Sequence, residues 1–211
     1  MRVVIAAAGL GACVAAGTAL AQAPAPAVQP LDCAQFPKTM DEAALVKRYG
    51  RENVVSADLE GAEGSTERGT VVYPKDPSRR LEISWHDVKK RRRPASIAVK
   101  GRSGWLVQVP GSRRASLGLG ASLADVEEAN ERPFSLYGFE WDMGGFVSGW
   151  KSGKLAAMPG GCFLGVRFGF NAKAKDRDLN RVSGDKEFTS SDRGMVAVRP
   201  VVSTITLGWP E

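Results

Sequence analysis

The feature that most constrains this chain is a change of hydrophobic period that occurs twice along it. One helical segment begins at the capping box of Thr39 and Glu42 and ends at Gly50. A second begins at the capping box of Ser122 and Asp125 and ends near residue 132. After each helix the apolar residues alternate with a period of two, as they do in half-buried strands. Hairpin-sized turns follow, so the sequence predicts α+β architecture with antiparallel strands and helices on one sheet face.

The expected strands lie in short runs rich in β-branched and aromatic residues, with Pro and Gly between them. These runs are residues 70–73, 81–85, 96–99, 105–109, 146–150, 164–170 and 201–209. The strongly polar stretch 171–194 interrupts this pattern, and we expect a mobile excursion there.

The two helix-then-sheet units follow the same order, which suggests a tandem repeat. We expect them to pack as one globular body. The expected divisions are a signal peptide over residues 1–21, a leader rich in Pro and Ala over 22–37, a first unit over 38–115 and a second unit over 116–211.

The first 21 residues have the composition of a secretory signal peptide. Arg2 supplies a positive start, a weakly apolar run follows, and Ala19, Leu20 and Ala21 form a small-x-small cleavage site. The run is too weakly apolar for a membrane anchor, so we expect no transmembrane segment after cleavage and a periplasmic or secreted protein. Cys13 lies in a segment that resembles a lipoprotein processing box, which leaves a lipoprotein as the alternative.

Cleavage of the signal would leave Cys33 and Cys162 in the mature chain. Disulfides persist outside the cytosol, so we predict a bond between these two cysteines. In loop-entropy models, closing so long a loop stabilises the folded state by roughly 4 to 5 kcal/mol. Two separate buried thiols are the alternative.

The segment around Trp141 is the most distinctive part of the chain. It resembles a family of exported, largely uncharacterised bacterial proteins that carry Leu-Asn-Gly-x-Pro-Phe followed by Gly-Phe-x-Trp-Asp-x-Gly-Gly, although Glu131 stands where that family has Gly. The matching residues are Asn130, Pro133, Phe134, Gly138, Phe139, Trp141, Asp142, Gly144 and Gly145. The order of helices and strands resembles, more weakly, that of β-lactamase inhibitory protein, and this resemblance implies a binding role.

The first candidate site is an aromatic block that contains Trp141, Asp142, Phe146 and Trp150. Its glycines permit close approach of a partner, and its rings offer rigid apolar surfaces that stack on a sugar or anchor a protein loop. In the alternative interpretation the Trp residues fill the core and Asp142 caps a turn. We expect Trp141 to lie in the core, while the polar neighbours of Trp150 leave both interpretations open for that ring.

The second candidate site is a run of five cations: Lys89, Lys90, Arg91, Arg92 and Arg93. In an exported protein the partners of such a run are phosphorylated lipid head groups, anionic cell-wall polymers or acidic protein patches, and we expect no nucleic acid. The alternative is a solvated hairpin tip without a specific partner.

The reactive residues favour binding over catalysis. His86 is the one histidine of the sequence, which excludes a multi-histidine metal site. The sequence contains neither a Gly-x-Ser-x-Gly turn nor a phosphate loop. We therefore assign no catalytic residue, metal or cofactor, and expect a non-enzymatic binding or inhibitor-like module whose partner is an envelope protein or an anionic envelope polymer. The alternatives are an enzyme that acts on an envelope polymer through Asp142 and a purely structural envelope protein.

Overall fold

The structure, a computed structural model, describes residues 29–61 and 64–211, so the predicted signal peptide, most of the leader and Cys13 lie outside the described residues. The helices are α1 (Glu42–Tyr49), α2 (Leu123–Asn130), α3 (Asp176–Leu179) and α4 (Arg193–Val198), with 3-10 turns at Cys33–Gln35, Arg51–Asn53 and Lys154–Ala156. The strands are β1 (Gln29–Leu31), β2 (Val54–Glu60), β3 (Thr66–Val72), β4 (Leu81–Asp87), β5 (Arg92–Lys100), β6 (Trp105–Gln108), β7 (Ser116–Leu117), β8 (Ser135–Tyr137), β9 (Val147–Gly149), β10 (Phe163–Gly169), β11 (Glu187–Thr189) and β12 (Val201–Gly208). The predicted combination of helices and sheets is confirmed.

A six-stranded antiparallel sheet forms the centre of the fold, with the order β10-β12-β5-β4-β3-β2. Two three-stranded sheets, β1-β6-β7 and β11-β8-β9, lie beside it. Within the first of these, β1 and β6 pair in parallel, so the expectation of antiparallel pairing is wrong for this short contact.

One face of the central sheet is buried in the core, as the alternating pattern predicts. Leu81, Ile83 and Trp85 are each no more than 1% exposed, and Ile205 and Leu207 lie beside them in the same buried cluster. Burial of such side chains is the main favourable term in folding, at about 25 cal/mol per Å² of apolar surface removed from water. The opposite face of this sheet remains accessible.

The helix ends show how local hydrogen bonds set the boundaries. Asp41, rather than the predicted Thr39, caps α1, because the Asp41 carboxylate accepts a hydrogen bond from the amide of Ala44 at 2.9 Å. The predicted capping box of Ser122 and Asp125 is confirmed at α2. Glu131 ends α2 in the left-handed conformation, with φ of 59°, where glycine fits at least cost.

The central sheet contains strands from both predicted units. β12 and β10 come from the second unit, and β12 pairs with β5 of the first. The apolar faces of these strands share one core, so the second unit does not build a separate meander around its own helix. The structure therefore does not confirm a tandem repeat.

Cys33 and Cys162 form a disulfide with their Cα atoms 5.7 Å apart, as predicted. The bond joins the 3-10 turn that precedes α1 to the start of β10, across a sequence separation of 129 residues. Both cysteines are buried. The cross-link ties two regions that are far apart in the chain.

The polar stretch 171–194 contains α3, β11 and the start of α4, so it is more structured than the predicted excursion. Leu179 and Val182 anchor it in the core. The sequence pattern missed this packing because the two apolar residues are isolated among charged ones.

Candidate functional site

The aromatic block turns back on itself between β8 and β9 and docks against the edge of β10. Gly145 lies at the turn with φ of 75°, and a Cβ atom there would overlap the carbonyl oxygen of Phe168. The Phe168 amide donates to the Gly145 carbonyl at 2.8 Å. Glycine is therefore required at this position by both backbone conformation and close contact.

Trp141 lies beside this turn and is partly exposed. Its indole Nε1 donates to the carbonyl oxygen of Gly138 at 3.0 Å, and its ring meets the edge of Tyr137 with centroids 5.3 Å apart. The ring is not among the residues that pack against the core cluster. The expectation that Trp141 fills the core is therefore wrong, because the indole hydrogen bond is made inside its own turn and leaves the ring at the surface.

Trp150, in contrast, packs against the core. Its ring centroid is 5.5 Å from that of Phe134, and its Nε1 donates to the Leu164 carbonyl of β10 at 3.1 Å. The buried Asn130 side chain donates to the Trp150 carbonyl at 3.0 Å. As a candidate binding residue Trp150 is better explained by packing.

Arg167 organises the remaining part of the block. Its Nε donates to the Gly144 carbonyl at 2.8 Å, and its guanidinium lies 4.8 Å from the ring centroid of Phe146. A guanidinium at this distance gains a cation–π attraction. Sequence reasoning missed Arg167, although its position between Val166 and Phe168 on an alternating strand indicates that it points away from the core.

Trp141 and Arg167 border a cleft of about 370 Å³, which we call the Trp141 cleft. Phe170 adds an exposed ring, 44% accessible, whose edge contacts Phe139 with centroids 5.9 Å apart. The lining residues are Phe139, Glu140, Trp141, Gly144, Arg167, Phe168, Gly169, Phe170, Ser203 and Thr204. The cleft thus combines aromatic rings, one fixed cation and hydroxyl groups.

Two carboxylates lie near this cleft, and that of Glu140 is the one that lines it. Asp142 is exposed, and within the described residues its carboxylate has no hydrogen bond or ion pair, so it does not cap the turn as predicted. Glu140 lines the cleft, and its Oε2 accepts a hydrogen bond from Ser183 at 2.6 Å. Glycosidases place two carboxyl groups across a scissile bond, and here the cleft has one lining carboxylate.

The run of five cations forms the tip of the β4–β5 hairpin, but it is not a uniform free patch. Lys89 and Lys90 are exposed. Arg92 pairs with Asp87 at 3.0 Å, and the Arg93 amide donates to the Met40 carbonyl at 2.9 Å. The hydrogen bond from the Lys90 amide, with that from Arg92, holds the pKa of Asp87 below its ordinary value.

Arg91 makes the most buried contact of the run. Its Nε forms an ion pair with Oε2 of Glu42 at 2.6 Å without the alignment of a hydrogen bond, and that oxygen accepts a hydrogen bond from the Thr70 hydroxyl at 2.8 Å. The Thr70 oxygen in turn accepts from the indole of the buried Trp85 at 2.9 Å. This chain of bonds ties the hairpin tip to the start of α1, so the prediction of a simple solvated tip is wrong for Arg91.

The chain matches no protein-family model, no curated protein and no solved structure. The two resemblances noted in the sequence therefore stay predictions. No helix in the part of the chain that the structure describes is both long and apolar enough to cross a membrane. Residues 29–61 and 64–211 also contain no cluster of three or more potential metal ligands.

Proposed function

We propose that this chain is an exported, non-enzymatic binding module that holds a partner protein in the Trp141 cleft. The observation that carries the proposal is the placement of a partly exposed Trp beside a fixed Arg at a concave surface. Trp, Tyr and Arg supply a large share of the energetically important residues of protein interfaces. The disulfide supports export, since such bonds persist outside the cytosol.

The side chains of the cleft are held in place before any partner arrives. The indole of Trp141 is fixed by its bond to Gly138, and Arg167 is fixed by Gly144 and by the ring of Phe146. A side chain that is already ordered loses less entropy on binding, which improves affinity without any new contact.

The open face of the central sheet extends this surface beyond the cleft. Arg167 and Thr204 pair across β10 and β12, and both line the cleft while facing away from the core. Small residues continue the same face across the sheet. They are Ser84, Ser96, Ala98, Gly165 and Thr206, and the ion pair of Glu82 with Lys100 stands among them. An extended face that carries small residues and one ion pair offers contact area to a folded partner, which favours a protein over a small sugar as the ligand.

The proposal is tested by introducing the photoreactive residue p-benzoylphenylalanine at Asp142, whose exposed side chain makes no hydrogen bond or ion pair with the described residues. Irradiation of cells should cross-link the chain to a discrete protein, identified by mass spectrometry. The same probe at the exposed Glu60 of β2, at the far edge of the central sheet from β10, is the matched control and should give no such product.

Binding of the identified partner should then be measured with purified proteins. Trp141→Ala should weaken binding by about 2 kcal/mol, roughly 30-fold, whereas Glu60→Ala should leave it unchanged. Cross-linking to glycan alone, or a partner that binds Trp141→Ala as tightly as the parent, would reject the proposal.

A further inference from the structure

A second and larger concave surface lies between α2, α4 and the start of β12. Its volume is about 560 Å³, within the range of roughly 300 to 1,000 Å³ that is typical of ligand sites. The lining residues are Ser122, Leu123, Ala124, Glu127, Asn171, Ser190, Ser191, Val196, Arg199, Pro200 and Val201. We call it the α2–α4 groove, and it shares no residue with the Trp141 cleft.

Two valine side chains of the groove are exposed to solvent. Val196 on α4 is 55% accessible and Val201 on β12 is 41% accessible. The backbone beneath them is fixed, because the Val202 amide donates to the Ala121 carbonyl at 2.8 Å and Ser122 forms a bridge with Val201. These valines therefore form part of a stable apolar surface.

One end of the groove opens into a basic hollow. Asn171 and Arg199 line both spaces, and Lys173 and Lys175 line the hollow. The two lysines and Arg199 are exposed and form no ion pair among the described residues. Asp178, the acidic residue of the hollow, is already paired with Arg177 and Arg181. Free positive charge is thus available at this end.

The carboxylate that lines the groove is that of Glu127, and it does not line the basic hollow. Glu127 accepts a hydrogen bond from the buried Ser190 hydroxyl, which also accepts from the Phe134 amide at 3.0 Å. This network holds the negative charge of Glu127 on the wall of α2. An anionic group of a ligand is therefore expected beside Arg199 and not beside Glu127.

From this continuity of apolar and basic surface we infer that the α2–α4 groove binds a single-chain anionic amphiphile of the fatty-acid class. The alkyl chain lies along Leu123, Val196 and Val201, and the carboxylate contacts Arg199 and the lysines of the hollow. The apolar part gains from removal of its surface from water, while the cations fix its direction.

The test uses dodecanoate below its micellar concentration, with binding measured by isothermal titration calorimetry on the chain from residue 22 onward. Dodecyltrimethylammonium has the same alkyl chain and a cationic head, and it should bind at least about tenfold more weakly because it meets Arg199 and two lysines. Equal binding of the two amphiphiles would overturn the proposal.

Ala124→Asp places a charge on the apolar wall and should weaken dodecanoate binding by more than about tenfold. Asp is favourable in the first turn of a helix, so the fold should be kept. Ala43→Asp, at the equivalent exposed position of α1, is the matched control and should bind as the parent does.

Arg199 has a left-handed backbone with φ of 46°, which Asn tolerates, so Arg199→Asn should keep the fold. This substitution should weaken dodecanoate binding by about three- to tenfold. Trp141→Ala should have no effect, which separates this site from the Trp141 cleft. Two results would overturn the assignment. One is an unchanged affinity of Ala124→Asp for dodecanoate. The other is that the parent chain binds no dodecanoate and forms a dimer that Ala124→Asp dissociates.

Discussion

In both the hairpin tip and the aromatic block, residues of the same kind lie a few positions apart and make different contacts. Arg91 joins a bond network that reaches the buried Trp85, while Lys89 is exposed. Trp150 packs on the core, while Trp141 borders a cleft. The difference comes from partners in distant strands, so residue type within a run does not decide which member is structural.

The largest expected effect concerns the disulfide, which joins the 3-10 turn before α1 to the start of β10, the strand against which the aromatic block docks. We expect replacement of Cys33 and Cys162 by Ser to lower the free energy of unfolding by about 4 kcal/mol, because the open chain gains entropy when unfolded. Chemical denaturation in oxidising buffer measures this. An unchanged midpoint would show that the cross-link does not stabilise either region.

Within the aromatic block, the two Trp positions should separate clearly. Trp150→Ala should lower the free energy of unfolding by about 3 kcal/mol, since it removes a ring that packs on the core. Trp141→Ala should cost less than about 1 kcal/mol, because that ring is partly exposed. Urea denaturation of both variants gives the comparison, and equal losses would contradict it.

Within the hairpin tip, Arg91→Gln should lower the free energy of unfolding by about 1 to 2 kcal/mol. The substitution leaves the carboxylate of Glu42, 16% exposed, without its cation. Lys89→Gln is the matched control and should change stability by less than about 0.5 kcal/mol. If thermal and urea denaturation give the same values for both variants, the network does not stabilise the tip.

The smallest effect concerns pH. Hydrogen bonds from the Lys90 amide and from Arg92 lower the pKa of Asp87 in the folded chain. The ionised Asp87 therefore contributes fully to the stability of the folded chain above the ordinary Asp pKa of about 3.9. This contribution is lost as the pH falls through the lower folded pKa. Asp87→Asn should therefore be slightly less stable than the parent at neutral pH and equally stable in strong acid. A stability difference that persists in acid would assign the loss to packing.

A second carboxylate tests the same argument outside both regions. The pKa of Asp76 is lowered to about 2, first by the Ser78 hydroxyl and then by Arg79. Its titration, followed by NMR of the side-chain carbon, should have its midpoint near that value. A midpoint in the ordinary Asp range would show that these turn contacts do not persist in solution.

The sequence predicted much of the fold because local rules apply to it. The alternation of Leu81, Ile83 and Trp85 placed one sheet face in the core, and the redox argument paired Cys33 with Cys162. The pattern missed β2, whose buried residues Val54 and Leu59 are separated by polar residues and by the exposed Val55. A local period identifies a strand only where one face is consistently apolar.

The candidate site was harder to predict, because its geometry depends on contacts between distant segments. The sequence indicated the aromatic block, but the bond from Trp150 to Leu164 and the stacking of Arg167 on Phe146 require knowledge of which strand lies beside the block. The basic hollow arises in the same way, since Lys173 and Arg199 are brought together by α3 and α4.

The position of β12 in the central sheet has a consequence for the order in which the chain can fold during synthesis. β12 lies between β10 and β5, so these two strands cannot belong to one sheet until Val201–Gly208 has been made. Until then the apolar side chains of Ile97 and Val166 lack β12, the strand that lies between their own strands in the sheet. The nascent chain can pair β2, β3, β4 and β5 first, and the central sheet gains β10 only after β12 has been made.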